Sequence, residues 1–282
     1  MGSKKLKFFL KNIVRYIRRL VKKVISDGCL FLSSSISYYF FFSIFPMMLI
    51  LISLSGTLIN ILGAQIAILD FVKERIPIIY NFTESNIQKA VENRASIGIA
   101  GLFFLALATT YVFDSIQYSV NKIYRTKSQR KFWKQKIVGV LIITMIFILV
   151  LLSFVFSTAV FYLTNKAIVF LSLDRIMSTY LFKVLSILSG LAFNFTIFSL
   201  IYFFGTNRKT HFKYHIYKGA LFAAFSWEIS KHFFIIFTNK FANFELTYGS
   251  VGSIIGFLFW IYISSFILLL GAEINSLDLV KT

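Results

Sequence analysis

The chain has 282 residues, 57 % of them hydrophobic, a mean hydropathy of +0.77, and 30 Lys+Arg against 11 Asp+Glu. Apolar runs recur along the whole length, which excludes a soluble domain and predicts an all-α, polytopic membrane helical bundle. A net charge of +19 would point to nucleic acid in a soluble protein. Here the basic residues lie between apolar runs, where membrane surface and topology account for them, so no nucleic-acid partner is expected.

Residues 4 to 28 carry nine Lys and Arg. Leu6, Phe9, Ile13, Ile17, Leu20 and Val24 follow the three-and-four rhythm of one helical face. Residues 1–28 therefore read as a basic amphipathic helix lying on anionic headgroups at the cytoplasmic face, with a topology anchor of no further role as the favoured account of its charge. Residues 29–282 read as a single transmembrane domain. Its first span, Cys29 to Leu54, holds 26 residues and no charge, enough to cross about 30 Å of hydrocarbon. Its first half is polar, with Ser33, Ser34, Ser35, Ser37, Tyr38 and Tyr39. Hydroxyls facing lipid would lose their water partners, so they are expected to face helices or a wet cavity. Pro46 removes a donor to the carbonyl of Phe42, predicting a kink that Ser43 would relieve.

Residues 55 to 96 are mixed in sign, broken by Pro77, with a capping box at Ser85–Gln88. They are expected to form short extracytoplasmic, re-entrant or interfacial helices. The further spans are expected at about 95–113, 137–163, 184–204, 219–237 and 251–272, with Asp114 closing the second and Glu273 at the exit of the sixth. The N-terminus and the loops after spans two and four carry nine, seven and four Lys+Arg, against four in the charge-balanced residues 55–96, three in residues 164–183 and Lys240 alone in the last loop. The positive-inside bias then places both termini in the cytoplasm.

That topology sets Ser33, Ser34, Ser37, Tyr38, Thr110, Asp114 and Glu273 toward the cytoplasmic side, and Asn194 and Glu228 near the midplane. A carboxylate at that depth costs roughly 2.5–3.5 kcal/mol even on the lenient insertion scale. Lys231, three residues on, can offset the cost as a same-face partner. These ten residues admit two readings: an ion pair with structural glue, or a polar cavity open to the cytoplasm. Pro46, Gly249, Gly252, Gly256 and Gly271 are expected to serve helix packing, Gly252 and Gly256 as a GxxxG pair. One cysteine and three scattered histidines leave no metal or cofactor set, and His211 and His215 have no acidic residue beside them. No enzymatic activity is expected.

KGALFAAFSWEISKHFF, FANFELTYGSVGSIIGFLFWIYISSFILLLGAEINS, SSSISYYFFFSIFPMMLILISL and SVNKIYRTKSQRKFWKQK, in their joint order, resemble the YihY/virulence factor BrkB family of bacterial inner-membrane proteins. The family pattern falls on Tyr38, Pro46, Asn121, Gly219, Glu228, Asn243, Tyr248, Gly249, Gly252, Trp260, Gly271 and Glu273. Where the family often has a proline after span four, this chain has Gly205-Thr206-Asn207-Arg208. The resemblance implies a multi-pass inner-membrane protein of about six spans and no settled activity. Its former ribonuclease BN label is a misassignment; other members are linked to serum resistance or proposed to move lipid or envelope precursors. A transporter or lipid-translocating protein is the first reading, with a lipid or small molecule as substrate. A membrane scaffold or envelope assembly factor is the alternative, and a nuclease ranks last.

Overall fold

A computed structural model describes residues 2–57, 94–126, 132–171, 175–206, 216–248 and 250–279. Among them the chain is helical throughout: α1 Gly2–Asp27, α2 Cys29–Thr57, α3 Arg94–Ile123, α4 Phe132–Leu171, α5 Arg175–Gly205, α6 Ile216–Tyr248 and α7 Ser250–Leu279. The capping box at Ser85–Gln88, most of the segment 55–96, and the pair His211 and His215 lie outside the described residues.

Five described helices are long and apolar enough to cross a bilayer, through Cys29–Ile50, Gly98–Ile123, Trp133–Val160, Val184–Gly205 and Ile254–Leu277. The chain is therefore an all-α membrane protein. The expected fifth span, 219–237, falls in α6. That helix has 33 residues, about 50 Å at 1.5 Å per residue. It is not among the five; it carries Lys218, Glu228, Lys231 and Lys240.

The helices run further than hydropathy suggested. Asp114 does not close its span; α3 continues nine residues to Ile123. Glu273 is likewise internal, because α7 runs on to Leu279. The loop expected over residues 238–250 is helical through Tyr248. Hydropathy marks where apolar side chains stop, whereas backbone hydrogen bonds carry a helix on past that point. Real ends are marked by turn chemistry. Gly28, at φ 71°, separates α1 from α2, a left-handed position that glycine takes without strain. Arg125, at φ 50°, closes α3 as the amides of Thr126 and Arg125 donate to the carbonyls of Asn121 and Lys122 at 3.0 and 3.1 Å. This is the six-to-one and five-to-two pattern of a Schellman end. Pro46 is buried inside continuous α2. Ser43 donates to the carbonyl of Phe40 at 2.6 Å, not to the Phe42 carbonyl expected from sequence.

The Cα packing separates the chain into two compact units. The first comprises residues 1–32, 116–231 and 266–282, and the second residues 33–115 and 232–265. In the first unit α6 and α7 meet at Gly219 and Gly271: a methyl on Gly219 would collide with the Gly271 carbonyl, and one on Gly271 with the Tyr202 hydroxyl and the Gly219 carbonyl. Ala220, Ala223, Ala224 and Ala272 are fully buried around this crossing, where small residues let backbones approach. In the second unit α2 and α3 pair antiparallel. Ser35 meets Ser115 at 3.1 Å, Tyr39 stacks on Tyr111 at 5.7 Å, and Gly101 lies against Leu49 and Ile50. Gly256 is not a crossing point as expected: a methyl there would meet nothing within 4 Å among the described residues. Gly249 lies outside the described residues, and Gly252 is half-buried.

Candidate functional site

Three polar groupings stand out, two in the first unit and one in the second. The first is centred on Glu273, fully buried on α7. Its Oε2 receives the Lys23 ammonium at 2.5 Å, and its Oε1 accepts from the Cys29 thiol at 3.3 Å. Lys23 also donates to Ser276 Oγ at 2.6 Å and to the Ile123 carbonyl at 3.3 Å, and pairs with Asp27 at 3.1 Å. One ammonium thus ties the end of α1 to α3 and α7. Beside it, Asn275 accepts from the Gly219 amide at 2.7 Å and donates to the Tyr124 hydroxyl at 3.4 Å. Tyr202 donates to the Leu268 carbonyl at 2.7 Å, and Asn121 donates to the Gly205 carbonyl at 3.2 Å, closing the end of α5. Burial pushes the Tyr124 phenol well above its ordinary pKa, so it stays neutral. Every member holds a protein partner, which is what a rigid junction requires.

The second grouping is Glu228, Lys231 and Asn194. Glu228 Oε1 receives Lys231 at 2.5 Å, its Oε2 receives Asn194 Nδ2 at 3.5 Å, and Gly190 on α5 faces the carboxylate. The Glu228 side chain is 7 % exposed and that of Lys231 43 %. The i,i+3 spacing read from sequence does form a pair.

The third grouping lies in the second unit. Ser33 and Ser37 are buried; Ser37 donates to the Ser33 carbonyl at 2.6 Å and to Ser265 Oγ on α7 at 3.4 Å. Thr110 donates back to the Ala106 carbonyl at 2.8 Å. Ser34, Ser35, Tyr38 and Tyr111 are exposed, while Asp114 is half-exposed. Ser35 and Ser115 mark the α2–α3 seam. In an antiparallel pair of right-handed helices, the residues just before two facing residues fall on the same side of the seam. Ser34 and Asp114 therefore border it together, with Tyr38 and Tyr111 alongside.

The ten predicted polar residues thus divide. Asn194, Glu228 and Lys231 come together, Glu273 joins a different cluster, Ser33 and Ser37 pack between helices, Thr110 bonds within its own helix, and Ser34, Tyr38 and Asp114 share an open face. Sequence reasoning missed Lys23, Cys29, Asn275 and Ser276. A usable signal existed for two of them: Glu273, Asn275 and Ser276 are clustered polar residues closing an apolar run. For Lys23 there was none, since it sits among eight other cations in residues 4–28. Among the described residues, no group of three His, Cys, Asp or Glu is placed to hold a metal.

Comparison with known proteins bears on which chain this is. A UPF0761 membrane protein of Aliivibrio salmonicida is 26 % identical over 275 residues, covering 97 % of this chain and 86 % of the relative. The ribonuclease-like protein YfkH of Bacillus subtilis is 26 % identical, covering 87 % and 88 %. A UPF0761 membrane protein of Legionella pneumophila is 26 % identical over 93 % of this chain and 61 % of its own length. No solved structure matches. The family model described as Virulence factor BrkB matches residues 20–279, and the chain belongs to that family.

Proposed function

We propose that this protein moves an amphiphile, a lipid or an envelope precursor, across the bacterial cytoplasmic membrane. The observation that carries this reading is the open face of Ser34, Ser35, Tyr38, Tyr111 and Asp114 on two apolar spans. Hydroxyls and a carboxylate gathered on one exposed face are poorly matched to hydrocarbon, which offers them no hydrogen bonds from outside. Such a face suits water or a polar headgroup whose tails stay in the lipid. By the charge bias of the loops, both termini are cytoplasmic, α6 is the fifth of six crossings, and this face opens toward the cytoplasm. The protein acts without catalysis and without nucleic acid.

Fluorescent-lipid translocation in proteoliposomes tests the proposal. Tyr38→Ala and Asp114→Asn should cut the translocation rate at least tenfold while leaving the melting temperature in place. Wild-type protein that gives no more translocation than empty vesicles, across anionic, zwitterionic and precursor lipids, would remove it.

A scaffold is the second reading, favoured by the first unit, where Glu228 and Glu273 spend their charges on Lys231 and Lys23. It predicts that Asp114→Asn preserves complementation of a deletion strain. The ribonuclease-like name belongs to a relative; RNA cleavage by purified protein that is lost with His211→Ala and His215→Ala would overturn the non-enzymatic reading.

A further inference from the structure

The outer surface of α1 presents two adjoining sectors. Val14, Ile17, Val21 and Ile25 recur every three or four residues and are 50–70 % exposed. This stripe shares Ile17 with the one the sequence rhythm favoured but is rolled away from it. Leu20 and Val24, placed on the lipid face by that rhythm, turn inward with Lys23 and Asp27. Next to the exposed apolar stripe lies an exposed basic arc, Lys11, Arg15, Arg18, Arg19 and Lys22. At 3.6 residues per turn, residues 11, 15, 18 and 22 form one row, and residues 14, 17, 21 and 25 the row beside it.

The inward side is fixed. Lys23 is held by Glu273, Ser276, Asp27 and the Ile123 carbonyl, and Gly28 ends the helix before α2 begins. A helix this rich in charge cannot cross hydrocarbon. Among the described residues its apolar row stays half or more exposed, and its basic row has cations directed outward.

We infer that α1 is a built binding surface for anionic phospholipid, with the row Val14–Ile25 sunk at the acyl boundary and the row Lys11–Lys22 on headgroup phosphates. Charge complementarity selects this occupant over a zwitterionic lipid. Each basic side chain near such a surface adds attraction that salt screens. The apolar row selects a lipid over free phosphate, because only a lipid supplies hydrocarbon beside the charge. The surface is independent of the open face on α2 and α3, so it stands whether or not the protein translocates anything.

The test uses the purified full chain in neutral detergent with phosphatidylglycerol, phosphatidylcholine or inorganic phosphate added, reading the melting temperature. Phosphatidylglycerol should raise it by several degrees, less at high salt, and the other two should not. Replacing Lys11, Arg15, Arg18 and Lys22 together by Gln should abolish the shift; all four are exposed, so the unliganded melting temperature should hold. An equal shift with phosphatidylcholine or phosphate, or a shift retained in the four-fold variant, overturns the inference. A second measurement needs no charge removal. Because Cys29 is buried, an environment-sensitive dye can be placed through Val21→Cys or Arg19→Cys in nanodiscs containing phosphatidylglycerol. Blue-shifted emission, quenched by spin-labelled lipid at position 21 and not at 19, supports the surface; both dyes reporting water overturns it.

Discussion

Lys23 and Glu273 form the most consequential pair in the first unit, and removing them one at a time should give unequal losses. The Glu273 side chain is 0 % exposed and that of Lys23 11 %. Breaking a buried pair from one side typically costs about 3–5 kcal/mol, because the remaining charge is left without its partner. The two sides are not equivalent here. In Lys23→Met, the Glu273 carboxylate keeps only the Cys29 thiol and the Ser276 hydroxyl, and Asp27 loses its ion pair as well. That variant should sit at the upper end of the range. In Glu273→Gln, the Lys23 ammonium keeps Asp27, Ser276 and the Ile123 carbonyl, so the loss should sit at the lower end, about 3 kcal/mol. The double variant should be more stable than Lys23→Met alone, and short of wild type because Asp27 remains without its cation. Thermal unfolding of all four proteins in one detergent, read by tryptophan fluorescence, gives the cycle. Additivity of the two single losses, within about 0.5 kcal/mol, would refute the pair as a coupled unit.

Three further outcomes follow from the same structure. Gly219→Ala and Gly271→Ala should each destabilise by about 1–3 kcal/mol through overpacking, whereas Gly256→Ala should be neutral or gain up to about 1 kcal/mol of helix propensity; melting temperatures that fall equally for all three would contradict the crossing point. Glu228→Gln should lower stability, and adding Lys231→Met should restore it; if the restored double variant also complements a deletion strain fully, Glu228 has no part in moving substrate. Cysteines introduced at positions 128 and 210 should label only from the cytoplasmic side, and labelling from the opposite side would invert the proposed topology.

The sequence made the class and most of the helices legible, because uncharged runs of twenty or more residues admit few other structures. It located helix ends poorly. Asp114 and Glu273 looked like terminators because charges are rare in spans, yet each lies inside a helix that continues. Close pairs in sequence were legible: Glu228 and Lys231 lie one turn apart, and helical geometry alone brings them together. Distant pairs were not. Lys23 and Glu273 are 250 positions apart, and nothing in the spacing of nine N-terminal cations says which one turns inward. The glycines show the same limit. Gly252 and Gly256 carry the familiar spacing, but the tight crossing uses Gly219 and Gly271 on two different helices, which no single-helix motif can reveal. The open polar face was only half visible, since which hydroxyls of Ser33 to Tyr39 face outward depends on the roll of α2 against α3 and α7. That roll is set by partners such as Ser115, Tyr111 and Ser265.

The central claim is that the α2–α3 face meets a polar substrate within the membrane. A density map of the protein in lipid nanodiscs tests it most directly. The account predicts headgroup or solute density within hydrogen-bond distance of Ser34, Tyr38 and Asp114, lost in Asp114→Asn with Tyr38→Ala. A face covered by ordered acyl chains alone, or filled by the protein's own side chains, would contradict it.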